Sequence, residues 1–198
     1  MSIVSFRFVT ATSMTLASFV LYASASEAKA PSLDEAAGRY DIDSSSQINF
    51  SVDQVGGGGI SGKFGKFSGT FQLDGGNIGR SVVQFALFPE TVQTGEPRIE
   101  NFLRSSAIFD TANHPKITFR STKITQTGED TAEIEGNLTA KGTTRTEHFE
   151  AKLTKWNRNV ISFHIQGDVY RTRYDMSAGI PVYSNIVQFD MIVNGQKH

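Results

Sequence analysis

Four histidines are the first residues to test for chemistry, because imidazole is the commonest metal ligand and general base. His114 precedes Pro115 in a turn, His148 and His164 fall on the outward parity of alternating strands, and His198 ends the chain. None has a partner at His-x-His or His-x-x-x-His spacing. With no cysteine either, a metal or thiol site has no ligand set. A Gly-x-Ser-x-Gly elbow and a phosphate loop are both missing, and the run Gly56 to Gly59 reads as a flexible loop because no lysine-capped helix follows it. Asn49-Phe50-Ser51 and Asn137-Leu138-Thr139 match the glycosylation pattern, but both fall within strands. One cation stands out. The inward parity of a strand through Ile161, Phe163, Ile165, Gly167 and Val169 continues onto Arg171. An arginine at the end of an apolar lining can meet an anionic head group by bidentate hydrogen bonds, or can pair with Asp168 or Asp175 at the surface. No titratable group is read at an inward mid-strand position. The residues therefore point to binding of an apolar molecule without catalysis and without a cofactor.

The elements that position these residues are mostly strands. Arg98 to Thr122 is the exception. Ile99, Phe102 and Leu103 sit at i, i+3 and i+4, a single apolar stripe on a short helical turn, and Asn113 and Pro115 then stop the helix. This segment is expected to dock on one end of a β structure, either as a plain cover or as a lid over a hollow interior. Around it the period is two. Tyr40 to Val55 reads as a first strand with Ile48, Phe50 and Val52 on one face. Between Lys63 and Leu73, Phe64, Phe67 and Phe71 break parity, which signals a bulge or sharp bend. A third strand carries Val83, Phe85 and Leu87, and a fourth runs from Lys116 to Thr122 with Phe119. The fifth places Ala132, Ile134, Gly136, Leu138 and Ala140 on one face, and the sixth Phe149, Ala151 and Leu153. The seventh includes Phe163 and Ile165, and the last aligns Val187, Phe189, Met191 and Val193.

Eight alternating strands with one apolar face must stack or close to hide that face, as a two-sheet sandwich or an up-and-down barrel. Short hairpins, and a face that mixes large Phe with small Ala and Gly, favour the barrel. Small residues at Ala132, Gly136, Ala140, Ala151 and Gly167 either leave room inside or pack closely against neighbouring Phe. The candidate ligand-binding residues are the inward ones: Phe50, Val52, Phe85, Phe102, Phe119 and Leu138 from the first half, and Phe149, Ala151, Phe163, Ile165, Arg171 and Phe189 from the second.

The 198 residues suit one domain. Arg7 precedes an apolar run, Phe8 to Tyr22, that is shorter than the ~20 residues a membrane span needs. Ala23-Ser24-Ala25 then offers a small-x-small cleavage site. The expectation is a signal peptide over 1–25, a linker over 26–38 and a single domain over 39–198, exported to the periplasm. Export would allow disulfides, yet no cysteine is present, so packing alone must hold the fold. Net charge is −1 with both signs interspersed, which excludes a basic stripe for nucleic acid and a polybasic membrane segment.

Several motifs, in order, resemble one family. Tyr40-x-Ile42-Asp43 with Ile48-x-Phe50-x-Val52, then Gly62-x-Phe64-x-x-Phe67-x-Gly69, are similar to the opening strands of the YceI-like family of polyisoprenoid-binding proteins. Leu103-Arg104-Ser105, Phe109-Asp110 and Pro115-x-Ile117-x-Phe119-x-Ser121 resemble its helix and following strand, and Gly136-x-Leu138-Thr139-x-x-Gly142-x-Thr144 its central hairpin. The resemblance implies an all-β fold, a single eight-stranded antiparallel lipocalin-like barrel with a short helical plug, holding a long isoprenoid or similar lipid in an apolar tunnel. The family usually has histidines where this chain has Ser45, Gln54 and Phe102, often an arginine at Ile99, and an acid at Arg173, while Arg171 is kept. These departures affect the head-group end more than the tunnel and admit a fatty acid, an amide or a quinone as ligand. The expected partner is one such long-chain lipid, with no nucleic acid and no metal, and a homodimer is allowed. The leading reading is a non-catalytic carrier, in which burial of about 0.8 kcal/mol per CH₂ supplies the affinity. An enzyme acting on a lipid held in the barrel and a ligand-free interaction module are the alternatives.

Overall fold

The computed structural model describes residues 31–198; the expected signal peptide lies outside these residues. Eleven strands form one antiparallel sheet that curls into a closed barrel. They are β1 (Gly38–Ile42), β2 (Gln47–Asp53), β3 (Gly59–Phe64), β4 (Phe67–Leu73), β5 (Val82–Leu87), β6 (Val92–Gln93), β7 (Ile117–Gln126), β8 (Thr131–Ala140), β9 (Thr143–Trp156), β10 (Val160–Tyr170) and β11 (Ile186–Lys197). The helix α1 (Pro97–Arg104) lies between β6 and β7. Eight strands pair in the order β1-β4-β5-β7-β8-β9-β10-β11, and β11 closes the ring on β1 through Tyr40↔Lys197 and Ile42↔Gly195. Closure removes the exposed edges that an open sheet of this apolar face would present.

Three further strands arise because the first three staves of the barrel are kinked. The stretch expected as one strand, Tyr40 to Val55, breaks between β1 and β2. There the Asp43 carboxylate accepts from the Ser45 backbone N–H at 2.8 Å. The Ser46 hydroxyl accepts from Asn194 N at 2.9 Å, standing in for the missing backbone partner. The parity break between Phe64 and Phe67 marks the turn from β3 into β4, where Gly65 and Lys66 donate their backbone N–H groups to Thr91. The turn Pro89–Thr91 breaks the third stave beside it, between β5 and β6. Above these kinks β6 pairs only with β3, and β7 pairs only with β5 and β8, so the barrel wall is open between β6 and β7. Helix α1 connects the two strands across that opening and packs beside β6.

Pro97 sits at its first turn, where no backbone N–H is needed, and the stripe Ile99, Phe102 and Leu103 turns to the barrel. Arg104 ties it to the third stave by donating to Glu90 O (2.8 Å) and Val92 O (2.9 Å). Phe109 packs on Phe64 with ring centroids 5.9 Å apart.

The two ends differ. The turns at 74–81, 127–130 and 157–159 lie at the lower end, whereas the loops 54–58, 94–116, 141–142 and 171–185 lie at the upper end. The lower end is a packed floor. The turn containing Leu33 and Ala36, within the expected linker, belongs to the core, as both side chains are buried. Tyr40 is fully buried, donates its hydroxyl to Ala36 O at 3.0 Å, and accepts from Trp156 Nε1 at 3.3 Å.

Of the small inward residues, the glycines leave no empty space. Phe119 covers Gly136 and Phe149 covers Gly167, each a ring from the adjacent strand, and Phe71 of β4 covers Gly195 of β11 across β1. A methyl group at Gly136 would meet the Phe119 ring and would lie 2.6 Å from Arg120 O, a backbone atom that cannot step aside. Gly136→Ala is therefore expected to lose about 1–3 kcal/mol of stability, read as a lower denaturation midpoint in urea.

Candidate functional site

Inside the barrel is a cavity of about 190 Å³. In the same measure a single water needs roughly 10–15 Å³, so this is far more than a packing defect. Leu33 and Ile78 bound it below, and Phe102, Met176 and Tyr183 bound it above, so it runs most of the barrel's length. Every expected ligand-binding residue lines it: Phe50, Val52, Phe85, Phe102, Phe119, Leu138, Phe149, Ala151, Phe163, Ile165, Arg171 and Phe189. Their burial explains the shape. At the floor Tyr40, Leu153 and Ile161 are fully buried, while inward-facing Phe85, Phe119, Leu138, Ile165 and Phe189 are only half-buried because they face open space. Phe149 stands at the centre of the wall, edge-on to Phe119 (5.3 Å) and to Phe189 (6.3 Å). Edge-to-face pairs of this kind are a favoured aromatic geometry.

Arg171 is the single charged side chain on the lining. It is buried although β10 ends one residue earlier, at Tyr170, and it does not pair with Asp168 or Asp175. Its guanidinium instead spans the loop above the cavity. Nε donates to Ser184 O (2.8 Å), Nη1 to Met176 O (2.6 Å) and Ala178 O (2.8 Å), and Nη2 to Tyr183 O (3.2 Å). Burial lowers its pKa from the ordinary value, and the carbonyl dipoles take the place of a counter-ion. Four of five N–H groups are thus committed to backbone, so no bidentate fork is left for an anionic head group. Arg171 shapes the mouth by holding residues 176–184 in place.

A second buried charge was legible in the sequence but not expected. Glu147 lies on the same β9 face as Phe149, Ala151 and Leu153 and is buried, so an inward carboxylate does exist. The parity itself was the signal; a charged residue near a strand end is easily assumed to point outward. Arg173 Nη1 reaches its two oxygens at 3.0 and 3.2 Å, and the Tyr174 hydroxyl donates to it at 2.8 Å. Burial first, and then the hydrogen bond and charge of Glu147, push the Tyr174 hydroxyl well above the usual phenol range, so it stays a donor. Tyr174 lines the cavity and Glu147 does not, so the carboxylate serves the turn Arg171–Tyr174. His148 and His164 face outward as expected, each 3.0 Å from a surface carboxylate, Glu133 and Asp190. Among the described residues no cluster of His, Asp or Glu could hold a metal.

A closed eight-stranded antiparallel barrel with an apolar cavity and one short helix has a lipocalin-like architecture. The chain belongs to the YceI-like domain family, which matches residues 40–194. It is similar to the protein named YceI of Salmonella arizonae, at 29% identity over 167 residues, 80% of this chain and 87% of that one. Two solved structures share the fold. BcnA of Burkholderia cenocepacia has a TM-score of 0.72 at 20% identity, over 77% of this chain and 98% of that one. A polyisoprenoid binding domain from Saccharophagus degradans, described as implicated in plant cell wall breakdown, has a TM-score of 0.65 at 18% identity, over 80% and 98%.

The arginine geometry yields a test. Arg171→Gln removes most of the hydrogen bonds to the mouth loop and is expected to destabilise the protein by about 2–4 kcal/mol. Affinity for a fatty acid and for the matching alcohol should fall by the same factor in binding titrations. A selective loss of the acid would instead restore the guanidinium as a head-group ligand.

Proposed function

We infer that this protein binds and carries one long-chain apolar lipid, a polyisoprenoid or a molecule of similar shape, without transforming it. The observation that carries this reading is the empty interior walled by half-buried aromatic and aliphatic side chains. Removing apolar surface from water supplies about 25 cal/mol per Å², so such a lining binds a chain with no catalytic group. The family relationship supports the same reading, and one structural neighbour carries polyisoprenoid binding in its description. The inward carboxylate Glu147 does not favour an enzyme, because Arg173 and Tyr174 occupy it and it does not reach the cavity. With Arg171 committed to backbone, a neutral or weakly polar head group fits the mouth better than a phosphate. Export to the periplasm is part of this proposal and rests on the apolar run before Ala23-Ser24-Ala25.

Mass spectrometry of gently purified protein should find a co-purifying long-chain lipid that is returned unchanged on incubation. Turnover of that lipid would favour the enzyme reading.

Ala151→Trp tests the hollow interior. Ala151 is buried, pairs across the sheet with Ala132 and Ile165, and lines the cavity. An indole there fills part of the void, so the ligand-free protein should keep or slightly raise its melting temperature while long-chain binding is lost. In a solid core the same change would overpack and cost about 1–3 kcal/mol. N-terminal sequencing of protein from the cell envelope should begin near Ser26; an intact Met1 there would overturn the export proposal.

A further inference from the structure

We propose that the upper end of the barrel docks on a lipid bilayer through an uncharged apolar ridge, Val55, Ile180 and Val182, so that the cargo passes between membrane and cavity without crossing water. This rests on the carrier reading. The ridge is built by pairing the tip of the β2–β3 hairpin with the mouth loop. Val55 N donates to Val182 O (2.9 Å), Ser184 N donates to Asp53 O (2.8 Å), and Gln54 bridges to Tyr183. All three ridge side chains are exposed, Val55 at 75% and Val182 at 51%.

The distribution of such residues over the molecule is one-sided. Six large apolar side chains are exposed among the described residues; Val160 lies at the lower end, and Val55, Phe102, Tyr170, Ile180 and Val182 all belong to elements of the upper end. Phe102 also lines the cavity, so apolar surface continues from inside to outside at that end. Among the described residues the lower end is covered by buried Leu33, Ala36 and Tyr40, with Tyr40 hydrogen-bonded to Ala36 and Trp156.

Charge points to the same occupant. In a chain that is 20% charged, neither Gln54 to Gly62 nor Met176 to Ile186 contains a single Asp, Glu, Lys or Arg. A protein partner is usually met by a rim of polar and charged groups that fix its orientation. An uncharged ridge instead enters the headgroup boundary of a neutral bilayer by apolar burial alone. Tyr170, exposed at the end of β10, suits the same boundary, where tyrosines are enriched. Gly56, Gly57 and Gly58 have open space around them and positive φ angles, so the hairpin tip can adjust to a soft surface. A chain that fits this cavity has negligible solubility in water, and a bilayer is the phase that holds it.

Flotation with phosphatidylcholine vesicles tests this. The wild-type protein should float with the vesicles, equally at low and high salt. The combined variant Val55→Ser, Ile180→Ser, Val182→Ser should lose vesicle binding by about tenfold or more. It should also slow transfer of a fluorescent long-chain alcohol between vesicles, while keeping the melting temperature and equilibrium affinity for that probe. Val55→Trp provides an independent reading, because its added indole emission should shift to the blue with vesicles over the Trp156 background. If the combined variant fails to fold, that shift alone decides. Absence of the shift, or flotation of the combined variant equal to wild type, overturns the proposal. So does a wild-type dimer that the variant converts to monomer with flotation unchanged, which would make the ridge a contact between copies. Docking without any cavity ligand would refute carriage and leave the membrane contact standing; cavity binding with exchange independent of the ridge would do the reverse.

Discussion

An unfilled apolar interior is the constraint on which the rest of the structure depends. At about 24 cal/mol per Å³, a void of about 190 Å³ costs on the order of 4–5 kcal/mol, a large part of the roughly 5–15 kcal/mol that a domain has. The shell must therefore be held by interactions that do not pass through the centre. The unbroken ring of hydrogen-bonded strands from β1 round to β11 is one such term. The packed floor under Tyr40 and Leu33 is another, and the perpendicular Phe119, Phe149 and Phe189 rings brace the wall from inside. A chain that fills the void removes the penalty and stabilises the folded form by mass action.

The mouth is held differently from the floor. Arg171 replaces water around its guanidinium with four loop carbonyls, so cation and loop are ordered together. Two residues on, Arg173 does the converse and neutralises the buried Glu147, with Tyr174 completing the carboxylate's shell. Buried ion pairs of this kind seldom add net stability, because desolvation offsets the attraction. Their value here is positional. The pair pins the turn Arg171–Tyr174 to β9, which fixes where the Arg171 side chain emerges. Every buried side-chain nitrogen and oxygen among the described residues has a hydrogen-bond partner, so the polar groups near the void do not invite water into it.

Strand parity made most of this fold legible, because an antiparallel barrel with one wet face writes its interior at every second residue. The inward faces of β8, β10 and β11, and that of β9 from Phe149 onward, are readable from the alternation, as is the bend marked by Phe64 and Phe67. The break at Asp43 to Ser46 was not, since the side-chain hydrogen bonds that replace the ladder there involve ordinary Ser and Asp residues. Gly136 and Gly167 read ambiguously as space or as seats for rings; the rings that fill them come from neighbouring strands, and register decides which. Arg171 was placed inward by parity, but its partners are backbone carbonyls, and those have no residue type to recognise. Glu147 has the inward parity, but a carboxylate is normally outside, and the partners that let it be buried, Arg173 and Tyr174, lie 26 and 27 residues away.

A lining with one committed cation and no free charge can discriminate only by shape. Apolar pockets separate ligands differing by a methylene by about 1–3 kcal/mol at most, and an added hydroxyl is not rejected much more strongly. Selection must then come from length, set by the floor at Leu33 and Ile78, and from width, set by the aromatic wall. On the carrier reading proposed above, any preference among apolar chains would rest on the packing of phenylalanines against glycines in the wall rather than on a polar group at the mouth.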